Sequence, residues 1–146
     1  MLVNVQEADS GLSPLVGEAM AGSDVILRTE AITAFISPRW WPKNPGSVLV
    51  IPNEHYENVY SIPDDLLHQV QSVGKRVALA MKAGYQCDGT SFRQHNEPAG
   101  NQDVWHYRLH VFPRYRGDDL YLLRGRTTTP EERKTYADIL RRCRAE

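Results

Sequence analysis

The spacing of apolar and polar positions changes period several times along this chain. Val25-Ile26-Leu27-Arg28 and Ile32-Thr33-Ala34-Phe35-Ile36 read as two strands joined by a tight turn near Thr29-Glu30. Val48-Leu49-Val50-Ile51 is an unbroken aliphatic run, the pattern of a buried strand, and Pro52 ends it. Between them, Pro38, Pro42 and Pro45 remove backbone donors and fix φ, so a loop is predicted up to Gly46. From Pro63 to about Gly84 the spacing becomes three and four. Leu66, Leu67, Val70, Val73, Val77 and Met81 form one apolar stripe of a helix. Pro63 suits its first turn, Asp64 and Asp65 favour its positive end, and Gly84 suits its stop. Residues 88–95 read as a strand, Asn96 to Asp103 as a loop, and Val104 to Phe112 as a strand of period two. Thr129-Pro130-Glu131-Glu132 opens a C-terminal helix over 129–146 with a capping box, and Tyr136, Ile139, Leu140 and Cys143 give it an apolar face. Residues 1–22, punctuated by Gly11, Pro14, Gly17 and Gly22, are an arm or a short helix.

This order predicts a single α+β domain over residues 1–146, an antiparallel sheet covered on one face by the long helix. The length is enough for one core and short of two. A formal net charge of −1 gives no pull toward nucleic acid or anionic lipid. No apolar run approaches the roughly 20 residues of a membrane span, and no signal-peptide pattern opens the chain. Cys87 and Cys143 stand far apart and read as free thiols, so a reducing compartment, the cytoplasm, is expected.

The chemistry concentrates near the 104–112 segment. Alternation there sends His106, Arg108 and His110 to one face and Tyr107, Leu109 and Val111 to the other. Two imidazoles and a guanidinium then line one surface within roughly 13 Å. The preceding loop, with its Pro, Gly and amide residues, can turn N–H groups toward an anion. Together these make a phosphate cradle. Strand residues four apart are too far from each other to share an ion with bonds of about 2.0–2.1 Å, so no metal is expected, and no cofactor either. Trp40 and Trp41 are either a stacking platform or a packed loop. His55 and His68 are expected at the surface. Arg114, Arg116, Arg124 and Arg126 form a solvated rim or a steering field. Arg141, Arg142 and Arg144 complement the dipole of the C-terminal helix.

The ordered motifs Pro45-Gly46-Ser47-Val48-Leu49-Val50-Ile51-Pro52, the long helix, and Gln94-His95-Asn96 through Pro113-Arg114-Tyr115 resemble those of the histidine triad (HIT) superfamily, over about Ile32 to Tyr121. That family reads His-φ-His-φ-His-φ-φ where this chain has His106, Arg108 and His110. The resemblance implies a half-barrel α+β protomer, a homodimer, and a purine nucleoside phosphate as ligand. It also implies hydrolase or nucleotidyl transferase chemistry at the α-phosphate, on adenosine phosphoramidates or dinucleoside polyphosphates. By the same resemblance His110 contacts phosphate oxygens and His106 supports the nucleophile. Gln102 lies near the bridging oxygen, and Asn101 belongs to the phosphate loop. His95 or Asn96 contacts phosphate or ribose, and Phe35 and Ile36 approach the base. Asp103 stands where the family often has a Ser or Thr donor, and an ionised carboxylate only accepts. Arg108 occupies the nucleophile's position. Guanidinium offers no lone pair to phosphorus. The expectation is therefore nucleotide binding with normal turnover lost or strongly impaired. The alternatives are a nucleotide sensor or accessory dimer, or an enzyme with altered chemistry on another phosphorylated metabolite.

Overall fold

The structure is a computed structural model that describes residues 24–144. The expected N-terminal arm lies outside the described residues. Strands β1 (Val25–Arg28), β2 (Ile32–Ile36), β3 (Arg39–Trp40) and β4 (Val48–Pro52) precede helix α1 (Asp64–Gly84). Strands β5 (Gly89–Arg93), β6 (Leu109–Arg114) and β7 (Arg126–Thr127) follow, then helix α2 (Pro130–Cys143). The main sheet has five antiparallel strands in the order β1-β2-β4-β6-β5, and β3 and β7 form a small ribbon. This is the expected α+β architecture.

The central strands β2 and β4 are buried at every position, which is what their unbroken apolar runs require. One face of the sheet packs on α1 through Ile36, Val48, Val50, Leu109 and Val111, against Val70, Val73, Val77, Ala80 and Met81. The other face carries a smaller cluster, Phe35, Leu49 and Ile51 under Val104, with His110 and Phe112 beside it. The candidate site lies on this second face.

Two glycines of α1 mark close contacts. A side chain on Gly74 would meet Leu109 Cδ2 at 2.9 Å. One on Gly84 would meet Ile139 Cγ2 at 2.7 Å and Cys143 Sγ at 3.2 Å. Gly84 is thus the contact point between α1 and α2, and not a left-handed stop: the next residue, Tyr85, is still right-handed helical. Replacing a helical glycine ordinarily stabilises by about 0.5–1 kcal/mol, but here the steric term wins. Gly84→Val is expected to lower stability by about 2 kcal/mol in urea unfolding. A neutral or stabilising result would contradict the close contact.

Helix α2 starts with the expected capping box. Thr129 Oγ1 accepts from the Glu132 N–H at 3.2 Å, and Glu132 Oε1 accepts from the Thr129 N–H at 3.1 Å. Arg141 and Arg144 do more than face the helix dipole. Each donates to a β1 carbonyl, Arg141 to Val25 at 2.5 Å and Arg144 to Ile26 at 3.1 Å, so they fasten the edge strand to α2.

The strand expected over Val104–Phe112 begins only at Leu109 and runs to Arg114. The cause lies in its neighbours. The ladder with β4 ends at Val50 opposite Leu109, and two positions further Pro52 has no N–H to give. On the other side, β5 ends at Arg93 opposite His110. Residues 104–108 therefore leave the sheet, and the Tyr107 N–H donates to the Tyr56 carbonyl at 2.6 Å.

Candidate active site

Register brings the site together. Phe35 pairs with Leu49, Leu49 with His110, and His110 with Arg93, forming one row across four strands. Three steps of 4.7–4.9 Å make that row about 14 Å wide. Alternation puts Ile36, Val48 and Val111 on the opposite face, in the core against α1. Ile36 therefore faces away from the site, and its expected approach to the base is corrected. Phe35 shares the site's face but is covered by packing with Leu49, Ile51 and Val104.

Over Leu49, His110 and Arg93 lies a cavity of about 580 Å³, with Arg108, Asp103, Asn101 and His95 at its wall. Ser37, Pro38, Arg39, Trp41 and Tyr121 complete it. Of the residues singled out from the sequence, His95, Asn101, Asp103, Arg108 and His110 are thus brought together. His106, Gln102, Asn96, Phe35 and Ile36 do not line this space.

His106 turns beneath the surface. It is 1% exposed, and its Nε2 lies 2.9 Å from the Pro52 carbonyl. A carbonyl only accepts, so Nε2 carries the proton and Nδ1 does not. The ring packs edge-on against His55 at 5.4 Å. His55 is accordingly half-buried and not the surface residue expected, whereas His68 is exposed. Burial pushes the His106 imidazole down to about 4, and neighbouring His55 and Arg108 add to this against the Pro52 hydrogen bond. It stays neutral and holds the 104–108 segment to the end of β4.

Gln102 and Asn96 serve the same wall. Gln102 Oε1 accepts from the Glu97 N–H at 2.7 Å, while its Nε2 donates to the Glu57 carbonyl at 2.6 Å and the Val104 carbonyl at 3.1 Å. Asn96 Oδ1 accepts from the Val59 N–H at 2.9 Å. These bonds tie residues 94–107 to the segment after β4. They leave the two amides as struts of the site.

The charged centre is Arg108. Its Nη2 donates to Asp103 Oδ1, an ion pair between groups five residues apart. Burial lowers the Arg108 guanidinium and Asp103 opposes this, and guanidinium remains charged at any physiological pH. His110 lies parallel to Phe112 at 5.6 Å and 5.7 Å from His95. Burial, then the positive charge of Arg108, holds His110 well below the ordinary histidine range. His95 is lowered too, by burial first and then by Arg93 and Arg108. Both rings are therefore neutral at pH 7, each with one N–H to donate.

The two tryptophans divide the roles left open for them. Trp40 is buried edge-on against Tyr136 at 4.9 Å. Trp41 forms a wall of the cavity, edge-on to Phe112 at 5.4 Å. Arg114 is neither free rim nor steering charge: it is held bidentately by Asp118, with Nε at 2.8 Å and Nη2 at 3.0 Å.

Comparison with known proteins agrees with this fold. The HIT domain model matches residues 18–117. An uncharacterised HIT-like protein of Methanocaldococcus jannaschii is 36% identical over 95 residues, 64% of this chain and 70% of that one. The adenosine 5′-monophosphoramidase of Saccharomyces cerevisiae is 30% identical over 89 residues, 61% of this chain and 52% of that enzyme. The crystal structure of a Hit-like protein from Bartonella henselae superposes with a TM-score of 0.74 at 28% identity, covering 82% of this chain and 85% of that one. With the family model matched over more than half of the chain, this protein belongs to the HIT domain family.

Proposed function

We propose that this protein binds a purine nucleoside phosphate in the cavity between Arg108, His110 and His95, and does not turn it over by the family's covalent route. The observation that carries the reading is the place of Arg108. It follows His106 and precedes His110 by two residues, where the family has its middle triad histidine, and its guanidinium lies at the cavity wall beside His110. The family's mechanism needs a neutral ring nitrogen there to attack phosphorus. A guanidinium holds phosphate through paired N–H donors and cannot attack it. The similarity to an adenosine 5′-monophosphoramidase supports an adenosine phosphate as ligand. His110 and His95 add neutral N–H donors, and Asn101 lines the same cavity. His106 and Gln102 position this wall and do not touch the ligand.

A homodimer fits the same reading. Strand β5 is an edge of the main sheet. Beside it, Leu79 (51% exposed) and Phe92 line an apolar hollow of about 670 Å³ on α1. The expected compartment is the cytoplasm, supported by the two free cysteines. Among the described residues, no helix is long and apolar enough to cross a membrane.

The test is ligand-linked stability. A micromolar Kd corresponds to about −8 kcal/mol. At about one hundred times that Kd, AMP stabilises the folded chain by about 2.7 kcal/mol, which thermal unfolding reads as a raised Tm. An unchanged Tm at millimolar AMP would contradict the reading.

A further inference from the structure

Three guanidinium groups line the cavity, and only one is neutralised. Arg108 is paired with Asp103, which among the described residues is the sole carboxylate at the cavity wall. Arg39 and Arg93 have no carboxylate partner among the described residues. The two residues also differ in how firmly they are held. Arg39 is exposed. The Arg93 guanidinium is caged by rings, 4.9 Å from the Phe112 centroid, 5.1 Å from Tyr121 and 5.6 Å from Trp41. Ring faces attract a cation and hold it in place, but they supply no lone pair in the guanidinium plane. The Arg93 Nε is buried and has no hydrogen-bond partner. A buried N–H without an acceptor is uncommon, and for a charged guanidinium at a cavity wall an anion is the strongest acceptor.

The register separates this group from Arg108. Arg93 lies opposite His110, and its guanidinium is over Phe112, two residues further along β6. Arg108 lies two residues back the other way. Arg108, outside the sheet, is held by Asp103, and Arg93, within it, by the three rings, so the cavity has two charges with different surroundings. Arg39 and Trp41 border the Phe112 side. The neutral His95 and His110 contribute donors and no fixed charge.

We propose that Arg93 and Arg39 form a second anion position beside Trp41, so that the ligand is a nucleoside carrying two phosphoryl groups. This rests on the nucleoside-phosphate reading above: the first phosphate sits at Arg108 and His110, the second at Arg93. The unpaired charge and the caged geometry give the second group its binding energy. A ligand with one phosphate leaves Arg93 unanswered.

The experiment is calorimetric titration of the full chain with AMP, ADP, adenosine 3′,5′-bisphosphate and inorganic tripolyphosphate. ADP and the 3′,5′-bisphosphate cover adjacent and separated phosphoryl groups. At least one of them is expected to bind about tenfold tighter than AMP. Arg93→Gln is expected to bring that ratio close to one, and Arg39→Gln to reduce it in part. Equal affinity for AMP and both doubly phosphorylated nucleosides would overturn the proposal, as would a ratio that survives Arg93→Gln in a folded variant. Should Arg93→Gln fail to fold, the exposed Arg39→Gln decides, and an unchanged ratio overturns it. The two readings fail separately. Binding of AMP with no gain from a second phosphoryl group removes the second anion position and leaves the nucleoside reading intact. Arg93-dependent binding of tripolyphosphate, with no adenosine compound bound, does the reverse.

Discussion

Arg108→His is expected to raise hydrolysis of an adenosine 5′-phosphoramidate about a thousandfold over the native chain. The change restores a ring nitrogen with a lone pair beside His110, at the wall where Arg108 now stands. His106 already anchors the segment through the Pro52 carbonyl, so the backbone that would carry the new ring is in place. Asp103 sets the pH dependence. It is the partner of Arg108 in the native chain, and beside an imidazole the carboxylate favours the protonated ring. The charged ring cannot attack phosphorus, so the rate rises with pH through a raised histidine value. Adding Asp103→Ser removes that carboxylate, moves the rising limb to lower pH, and increases the rate at pH 7. A steady-state pH profile of the single and double variants checks both statements. Equal rates for the native chain and Arg108→His would show that the missing imidazole is not what limits turnover.

The largest loss of stability is expected at Asp118. Its carboxylate gathers Arg114 Nε at 2.8 Å and Nη2 at 3.0 Å, Asn44 Nδ2 at 2.8 Å, and the N–H groups of Tyr115 at 2.9 Å and Leu120 at 3.2 Å. Asn44 is fully buried and also donates to the Pro113 carbonyl at 2.8 Å. One side chain thus clamps the end of β6 to the loop that carries Trp41. Removing it leaves the Arg114 charge and several N–H groups unanswered, and Asp118→Ala is expected to cost about 3 kcal/mol in urea unfolding at pH 7. The hydrogen bonds from Arg114, then those from Tyr115, Asn44 and Leu120, hold the Asp118 carboxyl far below the usual carboxylate range, against the effect of burial. A depressed folded value means that this stability is present above the unfolded carboxylate value, near 3.9. It is lost as pH falls toward the folded value. The native chain should therefore lose stability between pH 5 and pH 2 more steeply than Asp118→Ala. Parallel acid limbs would show that the clamp contributes nothing. Trp41 on this loop and Tyr121 both line the cavity, so the same variant is expected to weaken nucleotide binding as well.

Where the sequence was legible, one period governed one element. The long helix, the two buried central strands and the capping box at Thr129 are each set by local spacing, and each lies where that spacing puts it within a residue or two. The segment at 104–108 misled because its alternation is genuine while its neighbours are not strands. Whether a segment with strand spacing pairs depends on a donor at Pro52 and on the length of β5, and neither is a property of the segment itself. The site divides in the same way. His110, His95, Asn101, Asp103 and Arg108 share a wall because motif and register coincide. Asp103 and Arg108 are five apart, a spacing that is adjacent on neither helix nor strand, so their ion pair has no periodic signal. Arg93 carried no signal of its own either. It enters the site by pairing with His110, a contact across the intervening loop. His55 looked like a surface residue because nothing local shows that His106 will turn under to meet it.

The most direct test of the central claim is intact-mass measurement of the native chain, stopped at short times after mixing with an adenosine 5′-phosphoramidate, with the released AMP counted in the same samples. The site described here predicts unmodified protein at every time and no AMP above the buffer control, while calorimetry shows the nucleotide bound. A nucleotidylated chain that forms and decays as AMP accumulates would contradict it, because a nucleophile other than a residue at position 108 would then be carrying the reaction.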